Sequence, residues 1–271
     1  MSPRDASVVL TGAAGGLGSA IARRLFDEGA SLLLVGRSEA PLLALAQSLS
    51  AGARDRARVD ALVVDVTTDA GRNAVIDAAG ARNANVLINN AALAAFGPAQ
   101  SLQTEALRQL MDTNVVAPMM LTAGMLPLLL AQPRAQVLNI GSTLGSLGVP
   151  GFSAYAASKA ALRMYSEALR RELADSSVRV QYYAPRAIDT PFNSAEVLAF
   201  NKETDSASDS PEEIARAVSR MLQRESRQGF AGGIESVAAR LNGLCPEWFD
   251  SAFAKHRRAL MSLKFPTGAQ S

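Results

Sequence analysis

The sequence predicts an α/β fold in which helices cover both faces of a doubly wound parallel β-sheet. Short apolar runs alternate with helical patterns along the chain, which is typical of parallel strands joined by helical crossovers. A glycine-rich segment directly follows the first apolar run and precedes a helical pattern. The 271 residues contain no linker, internal repeat or low-complexity tract, and α/β folds of this length often form one unit.

The apolar runs and the helical patterns place six strands and six helices. The strands are predicted near Val8–Thr11, Ser31–Val35, Ala61–Val64, Val86–Asn89, Gln136–Ile140 and Val178–Tyr183. The helices are predicted near Gly16–Glu28, Glu39–Ser50, Thr68–Ala79, Leu102–Leu130, Ala154–Ala174 and Pro211–Glu225. The polar segment 202–209 is predicted to be a mobile loop. Ligands of such sheets bind at the carboxyl ends of the strands, where the distinctive residues of this chain cluster.

The glycine-rich segment between the first strand and the first helix has the pattern of a phosphate-binding turn. Gly12 lets the chain turn, Gly16 removes a Cβ so that a pyrophosphate can approach the backbone, and Gly18 lets the helix pack against the strand. The phosphates would lie at the helix N-terminus, where free N–H groups and the helix dipole favour negative charge.

Tyr155 and Lys159 lie one helical turn apart, so both side chains lie on one face of a helix. Such spacing alone usually marks an amphipathic helix. A positive charge beside a phenol favours the phenolate, and we therefore expect Tyr155 to exchange protons near neutral pH. Ser142, thirteen positions before Tyr155, is expected to orient the reacting oxygen.

Together these residues resemble the short-chain dehydrogenase/reductase family, in its single-domain branch, over about residues 5–200. The motifs that carry the resemblance are Thr11-Gly12…Gly16…Gly18, Asp65-Val66, Asn89-Asn90-Ala91, Asn114, Ser142, Tyr155…Lys159 and Pro185…Ile188…Thr190. The resemblance implies a Rossmann-type domain over residues 1–230. It also implies that a hydride passes between nicotinamide and substrate carbon while Tyr155 gives or takes the proton of the oxygen.

The resemblance assigns roles to individual residues. The catalytic set is Asn114, Ser142, Tyr155 and Lys159. Asn114 matches a position where a helix distortion leaves a water that connects Lys159 to solvent. The cofactor is implied to be held by Thr11, Gly12, Gly15, Gly16, Leu17, Gly18, Arg37, Asp65, Val66, Asn89, Asn90, Ala91, Tyr155, Lys159, Pro185, Ile188 and Thr190.

The end of the second strand predicts which dinucleotide is preferred. An acidic side chain there would bind the ribose hydroxyls and repel a 2′-phosphate, but this chain has Gly36 and Arg37. The guanidinium offers a planar fork of donors suited to phosphate. The pattern resembles members that prefer NADP(H) to NAD(H), although Arg37 is alternatively an ordinary solvated arginine.

Composition excludes several other functions. The net charge is only +2, and the basic residues do not cluster into a stripe, so a nucleic-acid partner is not expected. The chain has one cysteine and no His/Cys cluster, so neither an internal disulfide nor a metal site is expected. The N-terminus lacks the apolar core of a secretory signal, which predicts a cytoplasmic protein. The one histidine, His256, is expected on the surface or in the tail, so Ser142 lacks a triad partner. The apolar run Pro118–Ala131 is too short to span a bilayer and predicts a buried helix.

Two features depart from the family pattern. Arg186 replaces the usual glycine after Pro185, and it either binds an anionic group of cofactor or substrate, or points to solvent or pairs with an acid such as Asp189. Residues 231–271 form a helical extension with amphipathic stripes. These stripes either pack on the same domain or on another subunit of a homodimer or homotetramer, or contact a membrane peripherally.

The loops expected around the nicotinamide are apolar, which favours a hydrophobic ketone or aldehyde, or an acyl chain, over a sugar. These residues are Leu93, Phe96, Leu144, Leu147, Phe152, Phe192, Val197, Leu198 and Phe200. The sequence therefore predicts an NADP(H)-dependent oxidoreductase of hydrophobic carbonyls and alcohols. The alternatives are a catalytically silent nucleotide sensor or a membrane-associated scaffold of the same fold.

Overall fold

A computed structural model describes residues 1–51, 59–190, 192–263 and 265. Its centre is a seven-stranded sheet in which every neighbouring pair is parallel. The strands are β1 (Ser7–Thr11), β2 (Ser31–Gly36), β3 (Val59–Val63), β4 (Val86–Asn89), β5 (Ala135–Ile140), β6 (Val178–Ala184) and, after the short β7 (Ala187–Ile188) and β8 (Ser208–Asp209), β9 (Gln228–Phe230). The order β3-β2-β1-β4-β5-β6-β9 reverses direction between β1 and β4, which places a ligand crevice there.

The central strands are mostly apolar because both faces of the sheet are covered. On β1, Leu10 packs into one core cluster and its neighbour Val9 into the other, as the period of two requires. Val9 pairs in register with Leu33 of β2 and Leu87 of β4, so all three point to the same face. The predicted doubly wound sheet and its six strands are confirmed.

Ten α-helices complete the described part of the chain. They are α1 (Gly16–Asp27), α2 (Glu39–Ala51), α3 (Asp69–Ala81), α4 (Thr104–Met111), α5 (Ala117–Leu130), α6 (Ser153–Glu172), α7 (Ala195–Glu203), α8 (Pro211–Arg224), α9 (Gly233–Leu244) and α10 (Ala254–Ser262). Buried residues of α1, α2 and α8 fill the core on one face of the sheet. Buried residues of α3, α5 and α6 fill the core on the other.

A π-helical segment, Asp112–Val116, joins α4 to α5 into one helix of 27 residues, Thr104–Leu130. By length and composition this helix is apolar enough to cross a membrane, but 44% of its most apolar window is buried inside the domain. Leu121, Met125 and Leu129 lie in the core against the sheet. The helix is therefore a core element of the fold, as the apolar run predicts.

Three elements differ from the sequence prediction. β9 is a seventh strand that pairs with β6 at the sheet edge, and its three residues are too few for an apolar pattern to reveal. α7 forms where only loops are expected, and its N-terminus is capped by Ser194, which accepts a hydrogen bond from the Val197 N–H. Segment 202–209, predicted to be a loop, contains the end of α7 and the residues of β8 that pair with β7.

The C-terminal extension contacts the body of the domain through both of its helices. Asn242 of α9 donates a hydrogen bond to the Ser146 carbonyl, at 2.9 Å, in the loop after β5. α10 packs on α7, where Lys255 pairs with Asp205. The side chain of Ile234, a residue of the amphipathic pattern in this extension, lies outside the described part of the chain. The last residues of the extension, 266–271, lie outside the described part of the chain.

Candidate active site

A cavity of about 890 Å³ opens at the carboxyl ends of the strands, on the side where β1 and β4 meet. Its size is typical of a site for a small molecule or cofactor. Of the residues predicted to bind cofactor or catalyse, those that line it are Gly12, Gly15, Gly16, Leu17, Gly18, Arg37, Asp65, Val66, Asn90, Ala91, Ser142, Tyr155, Lys159, Pro185, Ile188 and Thr190. Thr11, Asn89 and Asn114 lie behind the cavity wall.

The glycine turn has the geometry that the sequence predicts. Gly12 has φ +64°, and a Cβ there would lie 2.8 Å from the Ala91 Cα. A Cβ on Gly18 would lie 2.1 Å from the Gly12 carbonyl oxygen, so α1 approaches the turn too closely for any side chain. Gly15 caps α1 without a side-chain hydrogen bond, which leaves the first N–H groups of the helix facing the cavity.

Thr11 and Asn89 are buried and hold the sheet together instead of lining the cavity. The Thr11 hydroxyl accepts hydrogen bonds from the N–H groups of Asn90 and Ala91, at 3.0 and 3.1 Å. The Asn89 amide donates to the Asn139 side chain at 2.8 Å, and to that of Thr122. Neither residue lines the cavity, so the structure does not support the predicted direct contact of Thr11 and Asn89 with the cofactor. Both were assigned from a motif whose neighbours Gly12 and Asn90 do reach the cavity.

Tyr155, Lys159 and Ser142 meet at one place in the cavity wall, as their spacing predicts. The Lys159 ammonium lies 5.7 Å from the centre of the Tyr155 ring and donates a hydrogen bond to the Ile140 carbonyl at 3.2 Å. The Ser142 side chain lies close enough to the Tyr155 phenol to lower its pKa. The helix α6 thus presents a phenol and an amine to the end of β5.

The prediction that Lys159 lowers the pKa of the Tyr155 phenol is wrong for the protein by itself. Desolvation by the surrounding protein raises the pKa of Tyr155, and Tyr182 adds to the increase, while the Ser142 side chain opposes it. Burial also lowers the pKa of Lys159 to about 8. Tyr155 is therefore a neutral phenol at neutral pH, a form that can donate a proton.

Tyr182 is a residue of this site that sequence reasoning missed. It is fully buried on β6, and its hydroxyl donates to the Ser142 carbonyl at 3.3 Å and accepts from the Ser142 N–H at 3.4 Å. A Cβ on Gly141 would lie 2.1 Å from the Tyr182 ring, so the glycine before Ser142 makes room for this ring. The only signal in the sequence for this role of Tyr182 is the glycine before Ser142. That signal indicates a neighbouring ring only when β6 is known to lie beside β5.

Asn114 lies in the π-helical segment, so the helix distortion implied by the resemblance is present. Its side chain accepts from the Leu93 N–H at 2.7 Å and donates to the Leu93 carbonyl and the Ser158 hydroxyl, both at 3.0 Å. These bonds fix the loop after β4 to α6, next to Lys159. The side chain holds the site together from behind the cavity wall.

Arg37 and Asp65 lie at the end of the cavity formed by β2 and β3. Arg37 is exposed and forms no ion pair within the part of the chain that the structure describes. Asp65 accepts hydrogen bonds from the Thr67 N–H at 2.9 Å and from its hydroxyl at 2.8 Å. These bonds, with a smaller effect of Arg37, hold the pKa of Asp65 below its usual value.

Arg186 binds a carboxylate of the protein itself. Its guanidinium makes a two-point contact with Asp209 of β8, next to the short pairing of β7 with β8. Of the alternatives, pairing with a nearby acid is the one found, although the acid is Asp209 rather than Asp189. The partner lies 23 residues away in sequence and is brought close only by the β7–β8 pairing.

His256 is not a surface or tail residue, because α10 brings it into the cavity wall. Its ring lies 5.7 Å from that of Phe200 and 5.1 Å from that of Phe253. The wall continues through aromatic rings to Tyr155, since Phe152 lies 5.9 Å from Phe200 and 6.5 Å from Tyr155. The predicted apolar pocket therefore exists, and a histidine lies at its far end.

Comparisons with known proteins agree with this geometry. The family model for short chain dehydrogenases matches residues 6–199. Sulfoacetaldehyde reductase 2 of Chromohalobacter salexigens is 38% identical over 189 residues, which are 68% of this chain and 73% of that protein. The match shows a common family across the glycine turn, the sheet and the Tyr155 helix.

Two solved structures share the fold. A short-chain dehydrogenase from Sphingobium yanoikuyae in complex with NADPH is 29% identical with a TM-score of 0.73, covering 98% of each chain. A short chain dehydrogenase/reductase from Burkholderia phymatum in complex with NAD has a TM-score of 0.81 at 23% identity, covering 92% of this chain and 96% of that one. The chain therefore belongs to the short-chain dehydrogenase/reductase family and is an NAD(P)-dependent oxidoreductase that acts on CH–OH or C=O groups.

Proposed function

We propose that this protein reduces a hydrophobic ketone or aldehyde to its alcohol with NADPH, and that Tyr155 supplies the proton. One observation carries the proposal: three features share a single cavity. These are the Tyr155 phenol, the aromatic wall next to it, and the N-terminus of α1, which no side chain caps. A bound nicotinamide dinucleotide supplies the hydride.

The residues of the chain fit such a dinucleotide. The uncapped N–H groups at the start of α1 attract phosphate, and the Gly12 turn lets backbone approach it. Asp65 lies at the opposite end of the same cavity with its carboxylate ionised. Lys159 reaches the cavity from α6, where its ammonium can donate to hydroxyl groups.

Arg37 supports the preference for NADP(H). Its guanidinium is exposed at the mouth of the cavity, and no acidic side chain occupies the end of β2. Such a fork can bind a 2′-phosphate with charge-assisted hydrogen bonds, which contribute about 1.5–3 kcal/mol each.

Tyr155 can protonate a carbonyl oxygen because its phenol is neutral at neutral pH. The Ser142 hydroxyl lies beside the phenol and accepts a hydrogen bond from the Leu144 N–H, at 3.1 Å. A substrate oxygen placed between Ser142 and Tyr155 would receive a hydrogen bond from one and a proton from the other. Holding the two reactants in line then lowers the entropy cost of the reaction.

The wall of the cavity beyond Tyr155 supports a hydrophobic substrate. Phe152, Phe192 and Phe200 line it, and the Arg186 guanidinium is engaged by Asp209. The Chromohalobacter relative is named for sulfoacetaldehyde, an anionic aldehyde. An aliphatic ketone suits these apolar rings better than a sulfonate does.

Turnover of 2-alkanones of five to eleven carbons with NADPH tests the reaction. Tyr155→Phe should keep NADPH binding and lose turnover by at least a hundredfold, since general acid catalysis contributes about 10² to 10⁴. Tyr165→Phe, on the same helix, is the matched control and should keep its activity. Nucleotide binding without turnover of any ketone or aldehyde in a broad panel would instead favour a silent sensor.

Titration of NADPH against NADH tests the cofactor preference. Arg37→Ser should weaken NADPH binding about tenfold to a hundredfold and leave NADH binding nearly unchanged. Arg23→Ser, an exposed arginine of α1 outside the cavity lining, is the control. Equal weakening of both nucleotides would contradict a 2′-phosphate contact.

A further inference from the structure

His256 lies at the end of the aromatic wall that starts at Tyr155. The wall runs from Tyr155 to Phe152 and Phe200, with centroid distances of 6.5 and 5.9 Å, and ends on the His256 ring. A substrate whose carbonyl meets Tyr155 therefore has its apolar body along these rings. Its far end then points towards His256.

The imidazole has no hydrogen-bond partner within the part of the chain that the structure describes. Its Nδ1 is buried and unpaired, and its Nε2, which has no partner either, is the nitrogen that remains accessible from the cavity. A ligand oxygen that enters the cavity can hydrogen-bond this Nε2, and a hydrogen bond of this kind contributes about 0.5–1.5 kcal/mol. Asn201 and Ser206 also line the cavity, so further polar groups accompany the imidazole.

The position of His256 is held by contacts on both sides. In the residue before it, the Lys255 ammonium pairs with Asp205 just beyond α7. Ser262, at the end of α10, donates to the Glu203 carboxylate at 3.3 Å. The ring of Phe265 then packs 5.7 Å from that of Phe96. A rigid placement of this kind is what specific recognition requires.

We propose that His256 is a specificity-determining residue that hydrogen-bonds an uncharged second oxygen, a hydroxyl, at the far end of the hydrophobic carbonyl substrate. The inference rests on the proposed function and names its substrate class, an aliphatic ketone with a distal hydroxyl group. The wall of Phe152 and Phe200 sets the length of the spacer between the two oxygens.

The charges around His256 favour an uncharged partner. Lys255, the neighbouring cation, is already paired with Asp205, and the Asp205 carboxylate itself lines the cavity. Burial, and to a smaller extent Lys255, lowers the pKa of His256, so the imidazole is neutral at pH 7. A hydroxyl both donates and accepts, and therefore pairs with either tautomer of a neutral imidazole.

Matched pairs of probes test the proposal. Each 2-alkanone of five to eleven carbons is compared with its ω-hydroxy counterpart at saturating NADPH, and kcat and KM are measured separately. The wild-type protein should prefer the hydroxy ketone about tenfold in kcat/KM at one spacer length, mainly through KM, as expected for one hydrogen bond to an otherwise unpaired group.

His256→Phe keeps a planar ring and removes both nitrogens, so it should abolish this preference by lowering kcat/KM for the hydroxy ketone more than for the plain ketone. His256→Gln, which retains a polar group near the Nε2 position, should restore part of the preference. Arg258→Ser, an exposed residue of α10, is the control for changes in the helix itself.

The proposal is overturned if the wild type shows no preference at any length, or if His256→Phe retains it. Equal loss for both members of a pair would show that His256 only supports the packing of α10. Calorimetric titration of the hydroxy ketones in the presence of NADP⁺ gives a second readout. If no ketone is reduced, the proposed function fails, and equal affinities of wild type and His256→Phe in this titration would separately overturn the role of His256.

Discussion

The buried amine of Lys159 makes the stability of the protein depend on pH in a calculable way. The side chain is 2% exposed, and burial lowers its pKa from 10.5 to about 8. The difference corresponds to about 3 kcal/mol that burial of the charged form costs the folded state. The amine donates one hydrogen bond, to the Ile140 carbonyl, and this bond does not offset the desolvation.

The sign follows from proton binding. Between pH 8 and 10.5 the unfolded chain still holds the proton that the folded chain has lost, so the free energy of unfolding rises with pH. Below pH 8 both states are protonated and the cost is fully present. Lys159→Met removes this titration while nearly preserving side-chain volume, so the wild type should gain about 3 kcal/mol relative to the variant as pH rises from 7 to above 10.5.

Urea unfolding of both proteins at intervals from pH 7 to 10.5 measures this difference. Other groups titrate equally in the two proteins and cancel, as do the cavity and hydrogen-bond changes that do not depend on pH. Lys202→Met, an exposed residue of α7, should show no such gain. A constant gap between wild type and Lys159→Met across this range would refute the argument that the amine is desolvated in the folded protein.

Three further predictions concern close packing in the site. Gly18→Ala should abolish nucleotide binding and lower the melting temperature, because its Cβ would lie 2.1 Å from a backbone oxygen. Gly80→Ala, in the exposed last turn of α3 where a Cβ meets no other atom, should leave the stability unchanged or raise the free energy of unfolding by up to about 1 kcal/mol. Thermal melts and NADPH titration check both, and equal effects would contradict the packing. Tyr182→Phe should destabilise the protein by about 1–3 kcal/mol, because the backbone of Ser142 loses both hydrogen bonds to the phenol. The same variant should reduce kcat more than it raises KM. An unchanged kcat in steady-state assays would show that other contacts hold Ser142. Arg186→Gly should lower stability and leave the KM for NADPH unchanged, since the guanidinium binds Asp209; a raised KM would restore the anchoring hypothesis.

The order of strands and helices could be predicted because the pattern of apolar residues is local. β1, β2, β4 and β5 are buried on both faces, so most of their residues are apolar. β9 has only three residues, and nothing in Gln228–Phe230 marks them as a strand until β6 offers its free edge. α7 and the β7–β8 pair likewise depend on contacts between distant segments.

The residues of the site were predictable as far as their roles depend on spacing and chemical type. Tyr155 and Lys159 lie on one helix, and the glycines of the first turn face backbone atoms only a few residues away or at the end of β4. Thr11 and Asn89 share those motifs but point into the sheet, because strand residues alternate between cavity and core.

By itself, the sequence determined the parallel sheet, the phosphate-binding turn and the residues that meet at Tyr155, since hydrophobic period, glycine position and helical spacing act over a few residues. The tertiary structure alone decided how acidic those groups are, which carboxylate holds Arg186, and that a histidine near the end of the chain closes the substrate cavity. These properties depend on desolvation and on contacts between segments far apart in the chain, such as α6 with β5 and α10 with α7, and no local pattern encodes either.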